Sequence, residues 1–500
     1  MPQVILALDQ GTTGSTAAFF DADTFALLST SKVEFPQIYP KPGEVEHDPD
    51  QIWNSLLTAI HLSWSALTKQ IANIKKSDIL CIGITNQRET VVPWNKKSGE
   101  LAGNAIVWQD RRTSAFCDEL KRDETKRSSI LNKTGLVCDP YFSGSKMRWI
   151  LKNYSKAQAF AKSGDLVLGT IDSFIIYKLT GGSSCLTDDT NASRTMLYDL
   201  KTGRYDKDLC ALFGVSQSML PEINPSAGSF GVTKGVPGLL DGIPITGCLG
   251  DQQSALFGHD CLSSGEGKIT YGTGAFLLVN TGETPTITDE GLLSTVAWSA
   301  NGKRSFALEG SAFIAGAAVQ FLRDNFQWFK NASESEAIAL ADPRDENVLF
   351  VPALAGLGAP FWNPNAKAVL FGLTRGTKKS QIVRAVLESI ALQNVQILTI
   401  MENVSKIKVK KLGVDGGAAR SDMLMQFQSD MCRVKLLRPR DIETTAKGAA
   451  KAALHGLDSG RATRSSEELT EFSPKMDEQV SSNIVEKWIS AARCVDSFYK

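Results

Sequence analysis

One pattern occurs twice in this chain and restricts what it can fold into. An apolar segment, Val4–Leu8, runs through Asp9-Gln10 into the turn Gly11-Thr12-Thr13-Gly14 and returns as Thr16–Phe20. In the second half, Lys268–Tyr271 enters the turn Gly272-Thr273-Gly274 and returns as Ala275–Asn280. The two turns lie about half of the 500-residue chain apart. A supersecondary unit repeated at that spacing predicts a duplicated domain, within the two to four domains that the length allows.

The surroundings extend the repeat. A third strand is expected near Ala26–Phe35, which makes an antiparallel meander. Asp48-Pro49 then reads as a helix cap with proline at the first helical position. Trp53, Leu57, Ile60, Trp64 and Leu67 follow at helical steps and predict one buried stripe. An apolar strand, Ile79–Ile84, leads into the polar loop Thr85–Thr90. In the second half, a third strand is expected near Ser294–Ser299, with helices near Ala312–Phe326 and Ser380–Glu402. The strand Lys411–Val414, the turn Gly416-Gly417 and a helix over Ser421–Met431 come next. The pattern predicts two similar α/β domains, residues 1–254 and 255–500, around an interdomain cleft.

Composition removes several classes of function. The 54 basic and 54 acidic residues give no net field to hold a nucleic-acid backbone. The nine cysteines are odd in number and form no Cys-x-x-Cys pair, and the four histidines are scattered. Free thiols in a reducing compartment are the expectation, with no zinc site and no Ser-His-Asp triad. Val4–Leu8 is too short for a signal peptide and no apolar run reaches the length of a membrane span. A soluble cytoplasmic protein is expected.

The chemistry is sought in the glycine-rich turns. No Gly-x-x-x-x-Gly-Lys-Ser/Thr run exists, and Gly272-x-Gly274 meets Leu277 where a dinucleotide fingerprint needs its last glycine. The Gly/Thr turns themselves can present backbone N–H groups and hydroxyls to a phosphate. Asp9, at the end of a buried strand beside such a nest, is placed to hold Mg²⁺ directly or through water. Either turn alone reads equally as an ordinary hairpin with a capping aspartate; their matched placement favours a polyphosphate clamp. Val414-Asp415-Gly416-Gly417-Ala418 offers a side-chain-free seat for a flat ligand such as adenine, or a plain strand-to-helix turn.

Polar groups that end apolar strands are the substrate candidates: Asn86-Gln87-Arg88-Glu89-Thr90, Trp108-Gln109-Asp110-Arg111-Arg112 and Gly250-Asp251-Gln252-Gln253. Adjacent Arg88 and Glu89 supply donors and acceptors together, which suits a polyhydroxyl compound. A structural ion pair for these two, and a helix cap for Asp251, remain the alternatives.

These segments together resemble the FGGY family of carbohydrate kinases, built on the actin/hexokinase-like, ribonuclease-H-like fold. The resemblance extends from about Val4 to Leu457. It includes ALDQGTT, IYPKPGEVEHDP, ITNQRET, NAIVWQDRRT, TGLVCDPYFSGSKMRWIL, TDDTNASRTMLYD, GDQQSALFG and YGTGAF. The ITNQRET and VWQDRR loops place it in the branch that phosphorylates glycerol, because sister kinases of sugars share only the ATP motifs. The resemblance implies transfer from ATP to glycerol with Mg²⁺. Arg88, Glu89, Tyr141 and Asp251 would bind the hydroxyls, with Gln252 adjacent, and Trp108 and Phe276 would wall the carbon chain. It also implies nucleotide contacts at Thr12, Thr13, Thr273, Gly316, Gln320 and Gly417, a magnesium-organising Asp9, and Asp251 as the base. Homodimers or homotetramers are common in the family. The chain departs from the family at Thr16, where an arginine is common, and at Ser421, where an asparagine is common.

Overall fold

The computed structural model describes residues 3–441, 443–460 and 468–500. Thirteen strands among these residues form one mixed sheet. The first six in chain order are Val4–Gln10 (β1), Gly14–Asp21 (β2), Leu27–Glu34 (β3), Ile79–Asn86 (β4), Ala227–Val232 (β5) and Pro244–Gly250 (β6). The rest are Glu266–Tyr271 (β7), Ala275–Gly282 (β8), Leu293–Ala300 (β9), Lys303–Ala312 (β10), Lys411–Asp415 (β11), Lys435–Pro439 (β12) and Leu469–Phe472 (β13).

From edge to edge the order is β13-β12-β11-β7-β8-β10-β9-β5-β6-β4-β1-β2-β3. The sheet is two units in contact, since β9 and β5 meet at a single register pair, Ala300 and Ala227. On one side of that seam β1, β2 and β3 form an antiparallel meander, with β4 and β6 added in parallel beside β1. On the other side β7, β8 and β10 form the same meander, with β11 and β12 in parallel beside β7. The repeated hairpin thus belongs to a repeated ribonuclease-H-like unit.

β1 is apolar on both faces because both are covered. Val4, Leu6 and Leu8 face Pro49–Gln70 (α1), while Ile5 and Ala7 face Thr444–Leu457 (α6). The other helices used below are Asp251–Gly258 (α2), Gly316–Asp324 (α3), Lys379–Ser405 (α4) and Asp422–Cys432 (α5). Asp48 caps α1 by accepting from the Asp50 amide at 2.9 Å. The buried stripe of α1 holds Trp53, Ile60 and Leu67 as expected and is rotated toward Ile52, Leu56, Ala59 and Ser63, which leaves Leu57 and Trp64 at its margin. The aromatic bulk of Trp64 reaches the core edge-on, where its ring meets Phe19 at 5.5 Å.

Helices α2 and α6 follow the equivalent strands β6 and β12 and cross between the halves. Their approach is so close that a Cβ on Gly448 would lie 1.8 Å from the Ser254 carbonyl oxygen, and one on Gly83 2.1 Å from that of Ala449. Ser254 Oγ donates to the Thr445 carbonyl and Thr246 Oγ1 to that of Ala453, both at 2.7 Å. The start of α6 is therefore packed along α2 from Ser254 to Gly258. A division after residue 254 falls inside α2.

The second meander corrects one expectation. Its third strand is β10, and Leu293–Ala300 pairs on the outer side of β10. The residues 303–312 show no alternation because β10 is flanked on both sides and buried along most of its length. The helix expected from Ala312 starts only at Gly316. No helix among the described residues is long and apolar enough to cross a membrane.

Candidate active site

The two Gly/Thr turns close alike, by Gly11 N–H to the Gly14 carbonyl and Gly272 N–H to the Gly274 carbonyl, each at 2.9 Å. Side chains hold the first. Trp108 Nε1 donates to Thr12 Oγ1 at 3.0 Å, and Gln37 Nε2 to the Thr12 carbonyl at 3.1 Å. Backbone holds the second. The amides of Ala315 and Ala317 donate to the Thr273 carbonyl at 2.8 and 3.1 Å, and Gly316 N–H to that of Gly272 at 2.9 Å. The start of α3 thus stands over the second turn, with Gln320 exposed one turn further along. Gly416, at φ +87°, backs onto Tyr271 at the end of β7 and leaves Gly417 exposed beside that turn. Thr13 and Thr273 are both exposed.

Three carboxylates converge below the first turn. Desolvation, then the charges of Asp251 and Glu443, push the Asp9 carboxyl up to about 7, and Lys32 acts in the opposite sense. Glu443 immediately precedes α6, and Asp251 opens α2.

Next to Asp251 lies a buried cluster of two arginines and two glutamates. Arg88 donates through Nη1 to Glu309 Oε2 at 2.6 Å and through Nη2 to Oε1 at 3.2 Å, while its Nε faces Asp251 Oδ1 at 3.2 Å. Arg194 donates through Nε to Glu89 at 2.7 Å and through Nη2 to Glu309 at 3.0 Å. Burial alone would raise the Glu309 carboxyl, but Arg194 and Arg88 hold it down at about 2. Glu89 sits at φ 62°, a left-handed conformation costly for this residue type, held by the packing around it. The Asp251 side chain is one-third exposed to the cleft, whereas the cluster is dry.

A cleft of about 1060 Å³ opens above, lined by Trp108, Tyr141, Thr273, Phe276 and Glu309 among others. Trp108 and Tyr141 meet edge to face at 5.5 Å. Lys146 Nζ fixes the Tyr141 segment by donating to the carbonyls of Pro140, Tyr141 and Phe142 at 2.9, 2.6 and 3.0 Å.

Of the sequence candidates, Arg88, Glu89, Tyr141, Asp251, Trp108 and Phe276 lie around this one cleft. Thr273 also lines it. Thr12, in one turn with Thr13 and just beyond Asp9, is tied to it through Trp108, while Gly316 and Gly417 flank the second turn and Gln320 follows on α3. Gln252 donates to Asp251 Oδ2 at 3.3 Å and accepts from Lys268 Nζ on β7. The expected polar loop Thr85–Thr90 is buried throughout, and Thr85 and Asn86 belong to β4. Within the Trp108–Arg112 segment, Arg112 pairs with both Asp110 and Glu46, each at 2.8 Å, and serves the scaffold.

Sequence reasoning passed over Arg194, Glu309, Lys146 and Lys268. A lone carboxylate in the apolar run Phe306–Leu308, Glu309 was a usable signal. Arg194 lies in the quoted Thr187–Asp199 stretch, but nothing local marks it as the partner of Glu89.

The residues 4–258 match the model of the N-terminal domain of the FGGY family of carbohydrate kinases, and 267–457 that of its C-terminal domain. A curated relative from Bdellovibrio bacteriovorus, named glycerol kinase, is 50% identical over 461 residues, covering 92% of this chain and 91% of its own. The glycerol kinase of Alkalilimnicola ehrlichii is 47% identical over 494 residues, 98% of each chain. Among solved structures, Plasmodium falciparum glycerol kinase with ADP superposes with a TM-score of 0.91 at 36% identity, covering 99% of this chain and 98% of that one. With the duplicated unit, the paired Gly/Thr turns and near-complete coverage in agreement, this chain belongs to the FGGY family of carbohydrate kinases.

Proposed function

We propose that the chain transfers the γ-phosphoryl group of ATP to a terminal hydroxyl of glycerol, giving sn-glycerol 3-phosphate and ADP, the first step of glycerol catabolism. One observation carries this reading: a dry Arg88–Glu309–Arg194–Glu89 cluster, paired with Asp251, meets through Glu309 an aromatic-walled cleft that the second Gly/Thr turn lines and to which Trp108 ties the first. A small polyol needs that combination, with fixed donors and acceptors for its hydroxyls and an apolar wall for its carbons. The relatives named glycerol kinase support the same acceptor.

Arg88, Glu89, Tyr141 and Asp251 hold the hydroxyls, and Trp108 and Phe276 confine the carbon chain. Gln252, adjacent in the site, holds the Asp251 carboxylate through its amide. Asp251 orients the attacking hydroxyl and accepts its proton. A carboxylate is a weak base at neutral pH, so in a loose transition state, where the proton leaves late, orientation is its larger part. Thr12, Thr13, Thr273 and the amide of Gly316 meet the phosphates, and Gln320 and Gly417 the adenosine side. Residues 1–254 then carry the glycerol site and the first phosphate turn, and 255–500 the second turn and the adenosine seat.

The convergence of Asp9, Asp251 and Glu443 is an oxygen-donor set with excess negative charge, which fits Mg²⁺. Asp9 would hold the ion, which neutralises phosphate charge when bound. Nine free cysteines support a reducing, cytoplasmic location.

The test is ADP release with glycerol, dihydroxyacetone, xylulose and gluconate as competing acceptors. Glycerol should give the highest kcat/KM. A pentulose that outruns it overturns the substrate and leaves the family assignment intact.

A further inference from the structure

The first phosphate turn carries no cation of its own. Its exposed groups are hydroxyls and amides, and Thr16, the first residue of the β2 core beyond it, is neutral. A nucleotide triphosphate brings about four negative charges to such a site. The neighbouring strand supplies what the turn lacks. Asp9 on β1, Thr16 on β2 and Lys32 on β3 are successive register partners, so their side chains share one face of the sheet. That face also receives Glu443, ahead of α6.

Lys32 is folded toward the turn rather than away from it, because a Cβ on Gly14 would stand 3.0 Å from Lys32 Cε. Its side chain is exposed, and among the described residues it has no ion-pair partner. Its charge acts on both Asp9 and Glu443, as its lean toward Gly14 on their face of the sheet requires. A lysine committed to neither carboxylate, on a four-carbon stem, is free to meet an incoming phosphate.

We propose that Lys32 is the cation that binds the nucleotide phosphates over the first Gly/Thr turn, acting from the adjacent strand in place of a charge at position 16. The inference rests on the ATP reading above and adds a residue that no sequence motif marks.

The experiment measures the affinity of adenosine, ADP and Mg·ATP by calorimetry, without glycerol, for the full chain and three variants. Lys32→Met should weaken Mg·ATP roughly tenfold, ADP less and adenosine not at all, and should flatten the salt dependence. Lys32→Arg should stay within about twofold of the parent. Thr16→Arg added to Lys32→Met should restore most of the loss, because positions 16 and 32 are opposite each other on one face. Unchanged Mg·ATP affinity in Lys32→Met overturns the proposal, as does an equal loss for adenosine, which would mean a scaffold role. None of these measurements uses an acceptor, so a failed glycerol assay and a failed Lys32 test are separate results.

Discussion

The two Gly/Thr turns sit at equivalent places in the repeated hairpin and have opposite supports. The first is wired by side chains to the acceptor wall, through Trp108 on Thr12, and stands above Asp9, Asp251 and Glu443. The second is wired by backbone to the start of α3 and has a buried lysine, Lys268, behind it. Burial lowers that lysine to about 8, against the pull of Asp415 and Asp251. The duplicated unit has therefore diverged in its supports: only the first turn is tied by a side chain to the aromatic wall, and only the second is locked to the start of a following helix. Among the described residues, the ion pairs that tie one half to the other run from Glu309, on the strand β10 of the second half, to Arg88 and Arg194 of the first.

Cutting that tie gives the largest expected effect. Glu309→Gln leaves two buried guanidinium groups facing one glutamate, and breaking such a network costs about 3–5 kcal/mol. Its pH signature has a definite sign. A carboxyl held at about 2 in the folded chain, against 4.5 ordinarily, contributes stability that is complete above 4.5 and lost as pH falls through about 2. That contribution is on the order of 3 kcal/mol. Denaturant titrations at pH 6 and pH 3 should show the gap between parent and variant narrowing at the lower pH. A gap that widens there contradicts the role of Glu309 as the charged partner.

Asp251→Asn separates chemistry from nucleotide binding. It should lower kcat by at least about 10²-fold while ADP affinity survives. Near-normal turnover would remove Asp251 as the base and leave the first turn without its share of the chemistry.

The smallest expected effect tests the wiring itself. Thr12→Val leaves the Trp108 indole N–H without its acceptor, worth about 1 kcal/mol, and should raise the KM for glycerol several-fold. Thr273→Val should leave the glycerol KM unchanged and raise only that for ATP. Initial rates over both substrates decide it, and equal responses of the two variants would erase the distinction between the turns.

Much of the fold was legible because its signals are local. Asp48-Pro49 announces α1 by cap chemistry, and the repeated hairpin announces the duplication by turn chemistry. The strand β10 was not legible, since a strand flanked and covered loses the alternation that marks a half-exposed one. The rotated stripe of α1 has a related cause: Trp53 and Trp64 dominate the hydrophobic pattern, yet the small residues Ala59 and Ser63 fit the close approach to the sheet. Arg88 and Glu89 were legible as a pair, but adjacency implied a mutual interaction. In the fold they still face each other at 3.9 Å, but their shorter bonds go to Glu309 and Arg194, each more than a hundred residues away.

The amino-acid sequence by itself determined two α/β units, their Gly/Thr turns, and the residue types at the ends of β1, β4 and β6, because capping, turn and strand preferences act over a few residues. Tertiary structure alone decided which charges neutralise which. The Arg88–Glu309–Arg194–Glu89 cluster, the three carboxylates below the first turn, and the approach of Lys32 to Gly14 all depend on strand order and on two helices meeting without side chains between them. Electrostatic interaction depends on distance in space and on exclusion of water. Neither quantity exists until the sheet has been assembled.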